Sequence, residues 1–305
     1  MGRPRLLITG AGGFVGAAVV KAAVAAGGDV VALVRQSGSR LAAIANSVSL
    51  ERVDLADTKS AAELIASVRP DIVIHSAWEG VGGSLRSDDI QLENIRTTVS
   101  LADAAIAAGA RKFVGIGSQA EYGRYDRRIL ESDLPHPTML YGAAKLAANH
   151  LAAQRCGEAD VAFAWLRLFS VYGPGDNPNW LIPSTAASLV RGRRPRCTAG
   201  TQKWDYLHID DVAQGVLAVA MNDDANGVFN LSSGDAVEVR RIVEMLRDIA
   251  APGLDLTFGD IAFGRDPIMH LEGDNRRLRE ATGWKVRTSL GEGLRQVVEE
   301  LRIAA

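Results

Sequence analysis

The stretch "RLLITGAGGFVGAAVV", residues 5–20, decides the fold. A short apolar run ends at a glycine cluster, and an alanine-rich run follows at once. The first part reads as a buried strand and the last as a helix, with "GAGGFVG" as the turn between them. Gly10 allows the tight turn, Gly13 lets backbone come close to a ligand, and Gly16 lets the helix pack on the strand. The helix N-terminus then offers free N–H groups and the positive end of a dipole, which suits the pyrophosphate of a dinucleotide. Phe14 and Val15, inside the turn, belong to the same expected cofactor site.

Beyond this unit the rhythm continues. A second strand ("DVVALV"), "SLERVDL", the helix "TKSAAELIASV", the strand "DIVIHSA", a helix around "LENIRTTVSLADAAIAAG", the strand "KFVGIGS", a helix beginning near Tyr141 and the strand "VAFAWLRL" follow in order. Strands alternating with helices predict an α/β doubly wound Rossmann fold with a parallel sheet covered on both faces. After Phe169 the alternation breaks at the turn-rich "SVYGPGDNPNW". A dinucleotide-binding domain is expected over 1–170, with returns to the sheet near 204–235. A smaller interleaved substrate-binding region is expected over 171–203 and 236–305.

Length and composition exclude several classes. The chain has 305 residues, 23% of them charged, and a formal net charge of -2, so nothing marks it for nucleic acid or an anionic membrane. No window approaches a membrane span, and the N-terminal apolar run is too short for a secretory signal, so a cytoplasmic location is expected. The two cysteines, Cys156 and Cys197, match no metal-ligand spacing. They are expected to be reduced thiols, with no metal site.

The end of the second strand bears on cofactor choice. An NAD site usually places an acid there, but "VVALVRQSGSR" has Val34 followed by Arg35. A guanidinium can hold a 2′-phosphate that a carboxylate would repel, so NADP(H) is expected in preference to NAD(H), with Arg40 as a second phosphate ligand.

In "LYGAAKLAANH", residues 140–150, Tyr141 and Lys145 stand four apart and share one helix face. A positive charge ~4 Å from the phenol is worth about 4 kcal/mol at an effective dielectric of 20. That would lower a phenol pKa of about 10 by as much as three units and make Tyr141 an acid–base group near neutral pH.

From these motifs the chain resembles the extended short-chain dehydrogenase/reductase family, the epimerases, dehydratases and reductases of nucleoside-diphosphate sugars. The resemblance runs nearly end to end, through "TGAGGFVG", "VDLAD", "DIVIHSAW", "FVGIGSQAEYG", "YGAAK", "LRLFSVYGPGD", "WDYLHIDDVAQG", "VFNLSSG" and "ATGWKVRTSLGEGL". It implies that Ser118 hydrogen-bonds the substrate oxygen, Tyr141 exchanges its proton, and Lys145 holds the nicotinamide ribose and tunes the tyrosine. Asp54, with Leu55 beside it, would contact the adenine, Ala77 would lie along the cofactor, and Asn94 would support the active-site architecture. A homodimer is implied, built from the helices that carry Asn94 and Tyr141.

The departures narrow the reaction. Dehydratases of the family generally carry an acid just after the catalytic Ser or Thr, whereas this chain has Gln119 and Ala120, with Glu121 expected to face elsewhere. Trp78, Ser170 and Trp204 replace residues common in relatives, and Trp204 removes a diphosphate ligand that Lys203 or Arg265 would supply instead. Gln119 and Asn179 complete the expected substrate side. The pattern is most similar to sugar-nucleotide 4-ketoreductases, which implies an NADPH-dependent reductase of the C4 carbonyl of a nucleoside-diphosphate 4-keto-6-deoxyhexose. A 4-epimerase without net redox remains open, as does a non-catalytic NADP(H)-sensing protein.

Overall fold

Strand β1 (Arg5–Thr9) lies inside a seven-stranded sheet, third from one edge, in a computed structural model that describes residues 3–264 and 267–303. Around it the chain lays down α1 (Phe14–Ala25), β2 (Asp29–Val34), β3 (Ser49–Arg52), α2 (Thr58–Val68), β4 (Ile72–His75), α3 (Ile90–Ala107), β5 (Lys112–Ser118), α4 (Leu140–Glu158) and β6 (Ala162–Leu168). After β7 (Ser170–Tyr172), α5 (Leu181–Val190) and β8 (Lys203–His208), α6 (Ile209–Ala220) leads to β9 (Gly227–Leu231), the last strand of this sheet. The order is β3-β2-β1-β4-β5-β6-β9, with every neighbouring pair parallel. This is the expected doubly wound sheet. Its order reverses at β1, where the glycine turn leaves the sheet.

Alternation along each strand explains the two layers. Leu6 and Ile8 face one side with Val30, Ala32, Ile72 and Ile74, where α1 and α6 cover them. Leu7 faces the other side with Val31, Leu33, Val73 and Phe113, under α2, α3 and α4. Burial on both sides accounts for the continuous apolar runs that mark these strands in the sequence.

The broken rhythm after Phe169 is a second structure. Strand β8 pairs with β7, with β10 (Ala236–Glu238) and with β11 (His270–Leu271) in a small four-stranded sheet. The stretch over 204–235 is therefore divided: β8 belongs to the small sheet, while α6 and β9 rejoin the large one. Helices α5, α7 (Val239–Ala250) and α9 (Leu290–Ile303) enclose a separate apolar cluster around Ile182, Leu189, Ile242, Leu246, Leu294 and Val298. Helix α8 (Arg276–Thr282) packs beside β9. No helix among the described residues is long and apolar enough to cross a membrane.

Candidate active site

Gly10 turns the chain with φ +65, and a Cβ there would lie 2.6 Å from the backbone N of Ala77. A Cβ at Gly16 would collide with the Gly10 carbonyl, so α1 starts directly over the end of β1. Gly13 caps α1 with no side-chain hydrogen bond, and no acid occupies the first turn. Gly10, Gly13, Phe14, Val15 and Gly16 line a cavity of about 690 Å³. An uncapped helix end facing open space fits an anionic phosphate. Beneath it, Thr9 hydrogen-bonds His75 at 2.8 Å and His75 reaches Thr98 at 3.0 Å, tying β1, β4 and α3 together. Burial, helped by the Lys145 charge, pushes His75 down to about 3, so the ring is neutral.

The same cavity reaches Trp78, Ser118, Gln119, Tyr141, Lys145, Ser170, Asn179 and Trp204. Ser118 ends β5 and is fixed through Glu121, whose Oε1 accepts from the Ser118 N–H at 2.9 Å and whose side chain completes a capping box on this turn. Glu121 is fully buried and also accepts from Trp165 Nε1 at 2.9 Å and Arg167 Nε at 2.8 Å. As expected, it does not face the cavity. Gly142 lets α4 approach this turn, because a side chain there would strike the Ala120 carbonyl. That approach sets the Tyr141 phenol beside Ser118, which helps to lower its pKa.

The lysine does not do what the i, i+4 spacing suggests. Lys145 donates to the Ile116 carbonyl at 2.6 Å, and its Nζ lies 3.7 Å from the Trp78 ring centroid. Burial pulls its pKa down to about 7, with Glu121 opposing. Tyr141 is raised from its ordinary value, because burial outweighs the Ser118 hydrogen bond and the nearby Arg86 charge. The expected acidified phenol is thus absent from the structure.

The remaining expected residues, among those described, lie outside this cavity. Arg35 pairs with Glu79, and both are about half exposed. Arg40 instead lies against Gly175 and lines a second cavity of about 360 Å³. Asp54 is exposed and accepts from the Ala56 N–H at 3.0 Å, closing a turn, while Leu55 packs against the core. Ala77 donates its N–H to Thr9 Oγ1 at 3.2 Å. Asn94 grips the backbone of Glu79 twice, each time at 3.0 Å, and so supports the wall that carries Trp78. Lys203 is exposed, and Arg265 lies outside the described residues. Both cysteines are free and buried, and among the described residues no group of three or more His, Cys, Asp and Glu is placed to hold a metal ion.

The model of the NAD dependent epimerase/dehydratase family matches residues 6–232. The chain belongs to that family. It is 29% identical to the GDP-6-deoxy-D-mannose reductase of Pseudomonas aeruginosa, over 82% of this chain and 86% of the relative. It is 28% identical to the UDP-glucose 4-epimerase of Corynebacterium glutamicum, over 97% and 94%. Among solved structures, MoeE5 in complex with UDP-glucose and NAD superposes with a TM-score of 0.84 at 30% identity, covering 98% of this chain and 99% of that one. RMD from Pseudomonas aeruginosa complexed with NADPH superposes with a TM-score of 0.84 at 26% identity, covering 99% and 100%. The family thus brings a nicotinamide cofactor and nucleotide-sugar chemistry, with both reductases and epimerases among the relatives.

Sequence reasoning missed further polar residues that line the cavity, among them Arg86, Asp176 and Tyr206. Arg86 stacks on the Tyr141 ring with Cζ 4.5 Å from the centroid. Burial raises Asp176 to about 7. Asp176 closes the "YGPGD" turn, which was a visible signal. Tyr206 lies in the "WDYLHIDDVAQG" motif, whereas Arg86 carried no signal.

The Lys145 environment has a measurable consequence. The unfolded chain keeps this proton up to the ordinary 10.5, while the folded chain releases it near about 7. Stability contributed by this site therefore rises as pH climbs through that window. In Lys145→Met, urea unfolding followed across the same window should lose that upward slope; an unchanged slope would show that Lys145 is not its source.

Proposed function

We propose that the protein is an NADPH-dependent reductase of the C4 carbonyl of a nucleoside-diphosphate 4-keto-6-deoxyhexose. The observation that carries this reading is the Ser118–Tyr141 pair in one cavity with the glycine turn, and no acid beside it at 119 or 120. The N-terminus of α1 would hold the pyrophosphate of the dinucleotide, and Lys145 would stand at its nicotinamide ribose. When bound, the cofactor supplies the hydride to the sugar carbon. Ser118 would steady the carbonyl oxygen while Tyr141 gives it a proton. Gln119 and Ala120 offer no group for proton abstraction, and Glu121 is locked to Arg167. This disfavours dehydration. Trp78, Gln119, Ser170, Asn179 and Trp204 would shape the sugar and nucleotide side.

The 28% identity to a UDP-glucose 4-epimerase over 97% of the chain supports a second reading, a 4-epimerase that regenerates its cofactor in each cycle. The two differ in cofactor consumption. Proton NMR with NADPH and a panel of nucleoside-diphosphate 4-keto-6-deoxyhexoses should give one cofactor oxidised per new C4 hydroxyl. No oxidation with any of them, together with epimer formation from 4-hydroxy sugars, would establish the epimerase. Tyr141→Phe should lower turnover about 10²–10⁴-fold while NADPH still binds; retained turnover would remove Tyr141 from the mechanism.

For cofactor choice, Arg35 would exchange Glu79 for the 2′-phosphate, since a half-exposed ion pair is worth only about 0–1 kcal/mol. Arg35→Ala should reduce the preference for NADPH over NADH about tenfold or more, read as the ratio of kcat/KM values. An unaltered ratio would assign the preference elsewhere.

The protein is further proposed to act as a homodimer through α3 and α4. These helices pack together and carry Leu92 and Leu151, each about half exposed. Sedimentation should give a dimer that Leu92→Glu combined with Leu151→Glu converts to monomer. A double variant that still sediments as the dimer would place the interface on another face.

A further inference from the structure

We propose that Arg86 and Gln119 recognise the C3 hydroxyl of the sugar, so that the substrate keeps a free hydroxyl next to the carbon that is reduced. This deepens the reductase reading above and rests on it.

Two buried polar atoms along the cavity lack partners. Arg86 Nε, a donor, and Gln119 Oε1, an acceptor, are shielded from solvent and, among the described residues, make no hydrogen bond. Both residues line the cavity that also holds Ser118 and Tyr141. A buried polar group left unpaired is costly, and a donor and an acceptor so placed in one cavity mark where a ligand supplies what is missing. Neither residue is loosely held. Arg86 stacks on the Tyr141 ring with Cζ 4.5 Å from the centroid. Its turn, residues 83–87, is pinned by the fully buried Gln91, whose Nε2 donates to the Leu85 carbonyl at 2.9 Å. Gln119 follows Ser118 directly, and its carbonyl accepts from the Tyr122 N–H at 3.0 Å.

The missing partners define the ligand group. Arg86 needs an acceptor and Gln119 Oε1 needs a donor, both close to the carbonyl that Ser118 and Tyr141 engage. In a 4-keto-6-deoxyhexopyranose the reacting C4 has two neighbours. C5 carries a methyl group and the ring oxygen, neither of which donates a hydrogen bond. C3 carries a hydroxyl, which donates one hydrogen bond and accepts others. One group therefore satisfies both residues: its O–H donates to Gln119, and its oxygen accepts from Arg86. An ionised diphosphate would satisfy Arg86 alone, because it has no proton to give Gln119. A site of this kind rejects an analogue lacking the hydroxyl far more strongly than an apolar pocket rejects one lacking a methylene, since both buried groups then stay unpaired.

The test is a binding cycle that needs no turnover. Trp78, Trp180 and Trp204 line the cavity, so quenching of tryptophan fluorescence reports a bound sugar. With NADP⁺ present, Kd values would be measured for the GDP, UDP and dTDP forms of a 4-keto-6-deoxyhexose and for their 3-deoxy counterparts. The protein should prefer the 3-hydroxy sugar by about 10²-fold or more. Arg86→Met and Gln119→Leu, each checked for folding by NADPH affinity, should reduce that preference about tenfold or more. Equal affinity of the unsubstituted protein for the two sugars, or binding of neither, would overturn the proposal. So would an unchanged preference in either folded variant; if Arg86→Met weakened both sugars equally, Arg86 would belong to the diphosphate instead. Binding that depends on the 3-hydroxyl with no NADPH oxidised would sink the reductase reading and leave the recognition of the hydroxyl standing.

Discussion

The buried carboxylate of Glu121 is the constraint on which the cavity end of the sheet depends. It sits at zero exposure and accepts from the Ser118 backbone, the Trp165 indole and the Arg167 guanidinium. An isolated carboxylate there would be costly to desolvate, and removing one partner of such a pair typically costs about 3–5 kcal/mol. Arg167 is itself stacked on Tyr122, with Cζ 4.2 Å from the ring centroid. The network therefore fixes the end of β5 against β6 before any ligand arrives. One geometric consequence is that Ser118 meets Tyr141. Another is that Glu121, the acid nearest Ser118 along the chain, is turned away from the cavity.

The same burial that fixes these groups decides the electrostatics. Arg86 lies over the Tyr141 ring, yet the phenol is raised because desolvation exceeds what Ser118 and that cation return. Helix spacing alone leaves the lysine charge free to act at ~4 Å through a screened medium. In the folded protein the ammonium donates to a carbonyl and rests on an indole, and burial leaves it only partly protonated near neutrality. Helical spacing guarantees a shared face. It does not fix the direction of a long, flexible side chain.

The large sheet was legible because its signals are local. Each strand is buried on both sides and so is written as an unbroken apolar run, and the glycine turn is imposed by backbone contacts between residues 10, 16 and 77. Ser118, Tyr141 and Lys145 were legible as motifs, and the structure brings them to one cavity. The small sheet was hidden because β8 is flanked by strands from distant parts of the chain, and β11 has only two residues. Arg86 was hidden for a related reason. It lies in an irregular turn with no periodicity, and only tertiary packing sets it on the Tyr141 ring. Asp54 shows the reverse case, a motif residue whose side chain in this structure is occupied by its own turn.

The segment after β4 joins the two ends of the cavity. Ala77 lies against Gly10, Trp78 bears on Lys145 and Tyr141, and Glu79 pairs with Arg35 while Asn94 holds its backbone. Three consecutive residues thus touch the glycine turn, the Tyr141 and Lys145 side chains and the arginine that follows β2. The clamp on Glu79 is made of backbone hydrogen bonds, which the side chain need not leave when it changes partner. An exposed ion pair is weak enough to be exchanged at little cost, whereas the Trp78 indole is anchored to Gln91 at 2.9 Å. A phosphate arriving at Arg35 would therefore free the Glu79 carboxylate without moving the wall that positions Tyr141. Under the proposed function, cofactor selection and proton transfer would in this way share one short stretch of chain without disturbing each other.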